Sequence, residues 1–112
     1  MSSTVIGKHA VVIGAGMGGL TAAAAAAAHF DRVTILERDA LPAAPAQRPG
    51  TPQARHLHVL LAGGLQALGE LFPGFEEDLQ RAGAVKLRGG LDVRWERPGF
   101  DPFPKRDLDM RV

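Results

Sequence analysis

The stretch from Val11 to Glu37 leaves this chain few folds to choose from. Val11-Val12-Ile13 is a short apolar run, and Gly14-Ala15-Gly16-Met17-Gly18-Gly19 follows it at once. Ala22 to Ala28 is unbroken alanine, and Val33-Thr34-Ile35-Leu36 is a second apolar run that ends in the acid Glu37. Short apolar runs rich in valine and isoleucine read as buried strands, and an alanine run reads as helix. The order is therefore strand, glycine turn, small-residue helix, strand, acid. We place the first strand over 9–13, the helix over 17–30 and the second strand over 32–37. A central parallel strand of this kind is expected to be covered on both faces.

Glycines at 14, 16 and 19 in that setting form the dinucleotide-binding βαβ fingerprint. Gly14 permits a tight exit from the strand. Gly16 has no side chain, so a pyrophosphate can approach the backbone. Gly19 lets the helix pack on the strand. Met17 and Gly18 complete the turn, and the free N–H groups of the helix start face the phosphates. Glu37 follows Gly14 by 23 residues and can accept hydrogen bonds from both hydroxyls of an adenosine ribose. It would repel a 2′-phosphate, which argues against NADP at this site. Glycine-rich turns are common. The strand before, the helix after and the acid at this distance make the pattern specific.

Composition narrows the rest. The chain has 112 residues, 46% of them apolar, with a net charge of +1 and no cysteine. That is enough for one domain with a modest core. There is no disulfide, thiolate metal site or cysteine nucleophile, and no basic patch suggests nucleic acid. Residues 10–28 look superficially like a signal peptide or membrane span. Four glycines interrupt them, and alanine drives insertion weakly. We expect no membrane span and a cytoplasmic location.

Residues 38–55 contain Pro42, Pro45, Pro49, Pro52 and Gly50, which rule out a regular helix. A helix is expected over 58–72, from Leu61, Leu65, Leu68 and Phe72 at helical spacing. Gly63 and Gly64 inside it mark an interruption or a close backbone approach. A second helix is expected over 75–82. Glu76, Glu77 and Asp78 suit its first turn better than they suit a metal, and Gly83 follows its end. Residues 84–96 alternate around Gly89-Gly90 as a β-hairpin, with Trp95 packing beside Leu91 and Val93. Residues 97–112 read as loop. His56 and His58 lack a third converging ligand and are read as loop and helix-start residues near a cofactor, not as a metal pair.

Taken together, Gly14–Gly19, Glu37-Arg38 and Gly50-Thr51-Pro52-Gln53-Ala54-Arg55-His56-Leu57-His58-Val59-Leu60-Leu61-Ala62-Gly63-Gly64 resemble the N-terminal part of FAD-dependent monooxygenases of the aromatic-hydroxylase type, with the related flavin epoxidases and isoprenoid reductases. The resemblance implies an α/β, glutathione-reductase-type FAD fold, with a βαβ unit over 9–37 and a cofactor loop and helices over 38–83. It implies that Gly14, Gly16, Met17, Gly18 and Gly19 cradle the FAD pyrophosphate. Glu37 would hold the ribose, Arg38 would flank the adenine and Arg55 would reach the phosphates. It implies NAD(P)H and O₂ as co-substrates and insertion of one oxygen atom into an apolar small molecule. Such families carry a second FAD motif and a substrate domain downstream. We therefore expect an incomplete domain, inactive alone, that needs the rest of the fold or a homodimer partner. Catalytic residues are not identified. Two other readings stay open: the NAD-binding Rossmann domain of a dehydrogenase, and a non-catalytic nucleotide-binding remnant.

Overall fold

The first strand, β1, runs Gly7–Ile13 and is followed by helix α1, Met17–Ala27, and strand β2, Phe30–Leu36. The computed structural model describes residues 4–93, 96–99 and 104–107. The strands pair in parallel, with Gly7 opposite Phe30, Val11 opposite Thr34 and Ile13 opposite Leu36. A parallel pair needs a crossover, and α1 supplies it. This is a small α/β protein built on a Rossmann-like βαβ unit.

The limits of these elements differ slightly from the sequence expectation, for a visible reason. The alanine run has no breaker until Ala28, yet α1 stops at Ala27 and β2 begins at Phe30. Phe30 lies across Gly7: a Cβ on Gly7 would stand 2.8 Å from its ring. That pairing draws Phe30 out of the helix and into the sheet, a tertiary effect that helix propensity cannot show.

Helix α1 covers one face of the pair. Val12 points to it, its Cγ1 3.6 Å from the place of a Cβ on Gly19. Alternation sends Val11 and Ile13 to the other face, where they are 53% and 86% exposed. The expectation of a strand covered on both faces is therefore not met among the described residues. The open face also carries His9, whose Nδ1 accepts from Arg32 Nη2 at 3.1 Å and whose Nε2 lies 2.9 Å from Thr34 Oγ1.

The chain divides into two units, Met1–His58 and Val59–Val112. In the first, residues 37–51 form neither helix nor strand, and Pro52–Arg55 makes a short 3-10 helix. In the second, helix α2 runs Ala62–Leu71 and helix α3 runs Phe75–Arg81. Helix α2 starts four residues later than its apolar spacing suggests. Residues 58–61 stay outside the helix, with Leu61 extended, so Gly63 and Gly64 fall in the first turn instead of the interior. The first-turn amides lack helical partners anyway, so two glycines cost less there. Leu60 folds back over Gly64, where a Cβ would meet its Cδ1 at 3.0 Å.

Helix α3 ends as its sequence dictates. Gly83 takes φ +102°, its N–H donates to Gln80 O at 3.0 Å, and Ala84 N–H donates to Leu79 O at 2.9 Å. That is a Schellman cap. Two of the three acids of its first turn form ion pairs within this unit: Glu76 with Lys86 and Asp78 with Arg81. The hairpin expected over 84–96 falls partly on Arg94 and Trp95, which lie outside the described residues. Over 84–93 Arg88 makes a β-bridge and a turn follows over 89–92. Arg88 O accepts from Leu91 and Asp92 N–H, and Arg88 clasps the Asp92 carboxylate at 2.9 Å.

Candidate functional site

The glycine turn is held from three directions. At its start Gly14 adopts φ +93°, a conformation that side chains resist, and its N–H donates to Leu36 O at 2.7 Å. That bond carries the parallel pairing one residue past the strands. At its end, Gly19 lies so close to Gly14 that a Cβ on it would stand 1.8 Å from the Gly14 carbonyl oxygen. The third contact is at its centre. Ala15, 3% exposed, donates its N–H to Glu37 Oε2 at 2.5 Å and accepts from Arg48 Nη2 on its carbonyl at 2.8 Å.

Gly16 and Gly18 differ from Gly14 and Gly19. Neither has a positive φ, and a Cβ on either would meet nothing within 4 Å. The protein's own packing does not require glycine at these positions. Gly16 also caps α1, with no side chain bonded to the helix start and no acid in the first turn. The amides of Met17, Gly18 and Gly19 have no helical acceptor and carry the positive end of the helix dipole.

Glu37 closes β2 and is tied into the turn before any ligand is considered. Its Oε2 takes the Ala15 N–H and faces Arg48 Nη1 at 3.5 Å, and its Oε1 takes the Asp39 N–H at 2.8 Å. The Asp39 and Ala15 backbone N–H groups, helped to a lesser degree by the Arg48 guanidinium, hold its carboxyl down at about 2 from an ordinary 4.5 against the opposing effect of burial. A carboxylate has about four acceptor positions. Most of those on Glu37 are used, so a ribose would compete with the 3.5 Å Arg48 contact, the longest of the set.

The sign of the pH effect follows from the lowered pKa. Ionised Glu37 contributes stability that is present in full above about 4.5 and is lost as pH falls through about 2. Asp92, held at about 2 chiefly by its hydrogen bond from Arg88, works in the same direction from an ordinary 3.8. Thermal midpoints measured from pH 6 down to pH 2 are expected to fall within that window. Glu37→Gln should flatten part of the fall and leave the Asp92 part. An unchanged profile in Glu37→Gln would show that the carboxylate does not hold the turn.

Ile13, Gly14, Gly16, Leu36, Glu37, Arg38, Asp39, Arg48, Gly50 and Thr51 line a cleft of about 300 Å³. Of the residues singled out from the sequence, Gly14, Gly16, Glu37 and Arg38 line it, while Met17, Gly18 and Gly19 form the helix start beside it. Arg38 is 82% exposed and pairs loosely with Asp39 at 3.8 Å. Arg55 ends the 3-10 helix, exposed, and is not among the lining residues. His56 and His58 are exposed, and no metal-binding group of His, Asp or Glu occurs among the described residues. Among the same residues no helix is long and apolar enough to cross a membrane.

Sequence reasoning missed Arg48. It sits mid-loop between prolines, where charge alone gives no reason to prefer it over Arg55. The usable signal was the Arg-Pro-Gly-Thr turn, which fixes an arginine backbone where its side chain can reach inward.

Strand, turn, helix, strand and acid together define a Rossmann-like nucleotide-binding segment. Residues 12–64 match the family model of the NAD(P)-binding Rossmann-like domain. Over 84 residues, 75% of this chain, the sequence is 49% identical to Protein Rv3254 of Mycobacterium tuberculosis (strain ATCC 25618 / H37Rv). The match spans 18% of the length of that relative.

Proposed function

We propose that this chain is the FAD-binding segment of a flavin-dependent monooxygenase that uses NAD(P)H and O₂ to oxygenate an apolar small molecule. The observation that carries the dinucleotide part is the cleft itself. Gly16 and Gly18, which the protein's own packing does not need as glycines, lie with an uncapped helix start beside a carboxylate and a guanidinium. The fit to a dinucleotide is good: backbone N–H groups for the pyrophosphate, room for it at Gly16, and Glu37 at the ribose position. Bound FAD would supply redox and oxygen-transfer chemistry. The residues here bind and orient it and keep its phosphates on the helix start. Arg38 would flank the adenine. Arg48 brings a cation to the glycine turn, and Arg55, with no ion pair among the described residues, is the outer candidate for the phosphates.

The preference for FAD over NAD rests on the loop. A nicotinamide domain would proceed quickly to a third parallel strand, and residues 37–51 instead form a loop that lays Arg48 on the turn. The NAD(P) reading keeps support from the matching family model. The test is titration of the chain with FAD, NAD and ADP at one ionic strength, in wild type and in Arg48→Ala and Arg55→Ala. FAD should bind more tightly than NAD or ADP. Arg48→Ala should weaken FAD by about 1.5–3 kcal/mol, roughly ten- to a hundredfold, the range for a hydrogen bond to a charged group. Equal affinities for FAD and NAD, unaltered in both variants, would sink the flavin reading. We place the protein in the cytoplasm and expect catalysis only with a substrate domain or partner present.

A further inference from the structure

The loop that carries Arg48 is closed by one carboxylate, which itself lines the cleft. Asp39 lies two residues beyond Glu37, its side chain 9% exposed, and its Oδ2 accepts the Gly50 N–H at 2.7 Å. Gly50 belongs to a turn closed by Thr51 N–H on Arg48 O at 3.1 Å. Pro-Gly at the centre of a turn normally signals a positive φ at the glycine. Gly50 has none, so its backbone would accept alanine. Its reason for being glycine is contact: a Cβ there would stand 2.5 Å from Asp39 Oδ2. From Asp39 to Gly50 the chain is thus a loop with tethered ends, and Arg48 sits beside one tether with its side chain 13% exposed against Glu37 and Ala15.

We propose that Asp39 is a positioning residue: by holding the Gly50 N–H it fixes the Arg48–Thr51 turn and keeps the Arg48 guanidinium on the glycine turn, ready for a dinucleotide. The last clause rests on the FAD reading, and the positioning itself does not. An unclamped loop would sample many conformations, and ligand would have to recapture Arg48 from that ensemble at a cost in affinity.

Two readouts separate positioning from simple structural support. The first needs no ligand: the titration of the Glu37 carboxyl, followed by carbon NMR. Arg48 lowers it, while a neighbouring Asp39 charge can only raise it. Asp39→Ala therefore removes an anion, which favours ionised Glu37, and releases Arg48, which disfavours it. A titration point that moves up towards the ordinary carboxylate range, as in Arg48→Ala, identifies release of the arginine. Gly50→Ala keeps every charge and displaces the Asp39 carboxylate, so it should move the point the same way. Asp39→Asn keeps an acceptor oxygen and should rescue most of the shift. The second readout is FAD affinity. Asp39→Ala should weaken it several-fold in the wild-type background and leave it unchanged when Arg48 is already alanine. A Glu37 titration that stays or falls in both Asp39→Ala and Gly50→Ala overturns the proposal. So does an equal loss of affinity in both backgrounds. A titration that moves as expected in a protein that binds no FAD upholds the positioning and overturns the flavin reading alone.

Discussion

Gly19→Ala is expected to abolish the folded βαβ unit. The added Cβ would lie 1.8 Å from the Gly14 carbonyl oxygen and 2.8 Å from its carbon. Both are backbone atoms, so no side chain can swing aside. Either α1 lifts off the sheet or the Gly14 peptide rotates. The first exposes the face of Val12 and Val33. The second gives up the φ of +93° and the 2.7 Å bond from Gly14 N–H to Leu36 O. Among the described apolar residues only Ala15, Ala23 and Leu68 are buried, and two of these belong to the turn and the helix it opens. Beside the β1–β2 ladder itself, the packing of α1 on the turn is the main apolar support of the unit. A loss on the order of 4 kcal/mol or more follows, in a class of domains whose whole stability is about 5–15 kcal/mol. Urea denaturation followed by circular dichroism measures it. Gly18→Ala is the control, because its Cβ would meet nothing within 4 Å and the midpoint should hold or rise. A wild-type midpoint in Gly19→Ala would show that α1 does not sit on Gly14 as described.

What could be read from the sequence divides along a physical line. Local patterns with one cheap solution were legible: the order β1, α1, β2, the glycine cap of α3 at Gly83, and the acid at the end of β2. Each is fixed by a few neighbouring residues, so each is written in the chain as a short motif. What depends on one distant contact was not legible. The early end of α1 depends on Phe30 meeting Gly7. The start of α2 at Ala62 leaves 58–61 outside the helix, which apolar spacing over 58–72 conceals. In the site, Glu37 was legible by its distance from Gly14, but its bonds to Ala15, Asp39 and Arg48 were not. Its first task is to hold the turn, and a motif records the presence of a carboxylate without recording which of its lone pairs are already taken.

Gly16→Ala should leave the fold intact and remove the dinucleotide. Gly16 has φ −79° and ψ −176°, ordinary extended backbone that alanine adopts without strain. Its Cβ would meet no protein atom within 4 Å, so stability should stay within about 0.5 kcal/mol of wild type. Yet Gly16 lines the cleft and caps the helix whose free amides would, on the proposed function, receive the phosphates. A methyl group there would occupy the space through which, on that reading, a pyrophosphate reaches those amides. The hydrogen bonds lost are charge-assisted, and two of them lengthened or broken correspond to about 3 kcal/mol, roughly a hundredfold in the dissociation constant for FAD, ADP or NAD alike. Titration of each ligand into wild type and Gly16→Ala, with urea midpoints on the same preparations, gives both numbers. Intact stability with lost affinity is the signature of a glycine kept for a ligand, where Gly19 is kept for the fold. Affinity unchanged in Gly16→Ala would mean that the pyrophosphate does not lie on this turn, and the nucleotide would then have to be sought elsewhere in the chain.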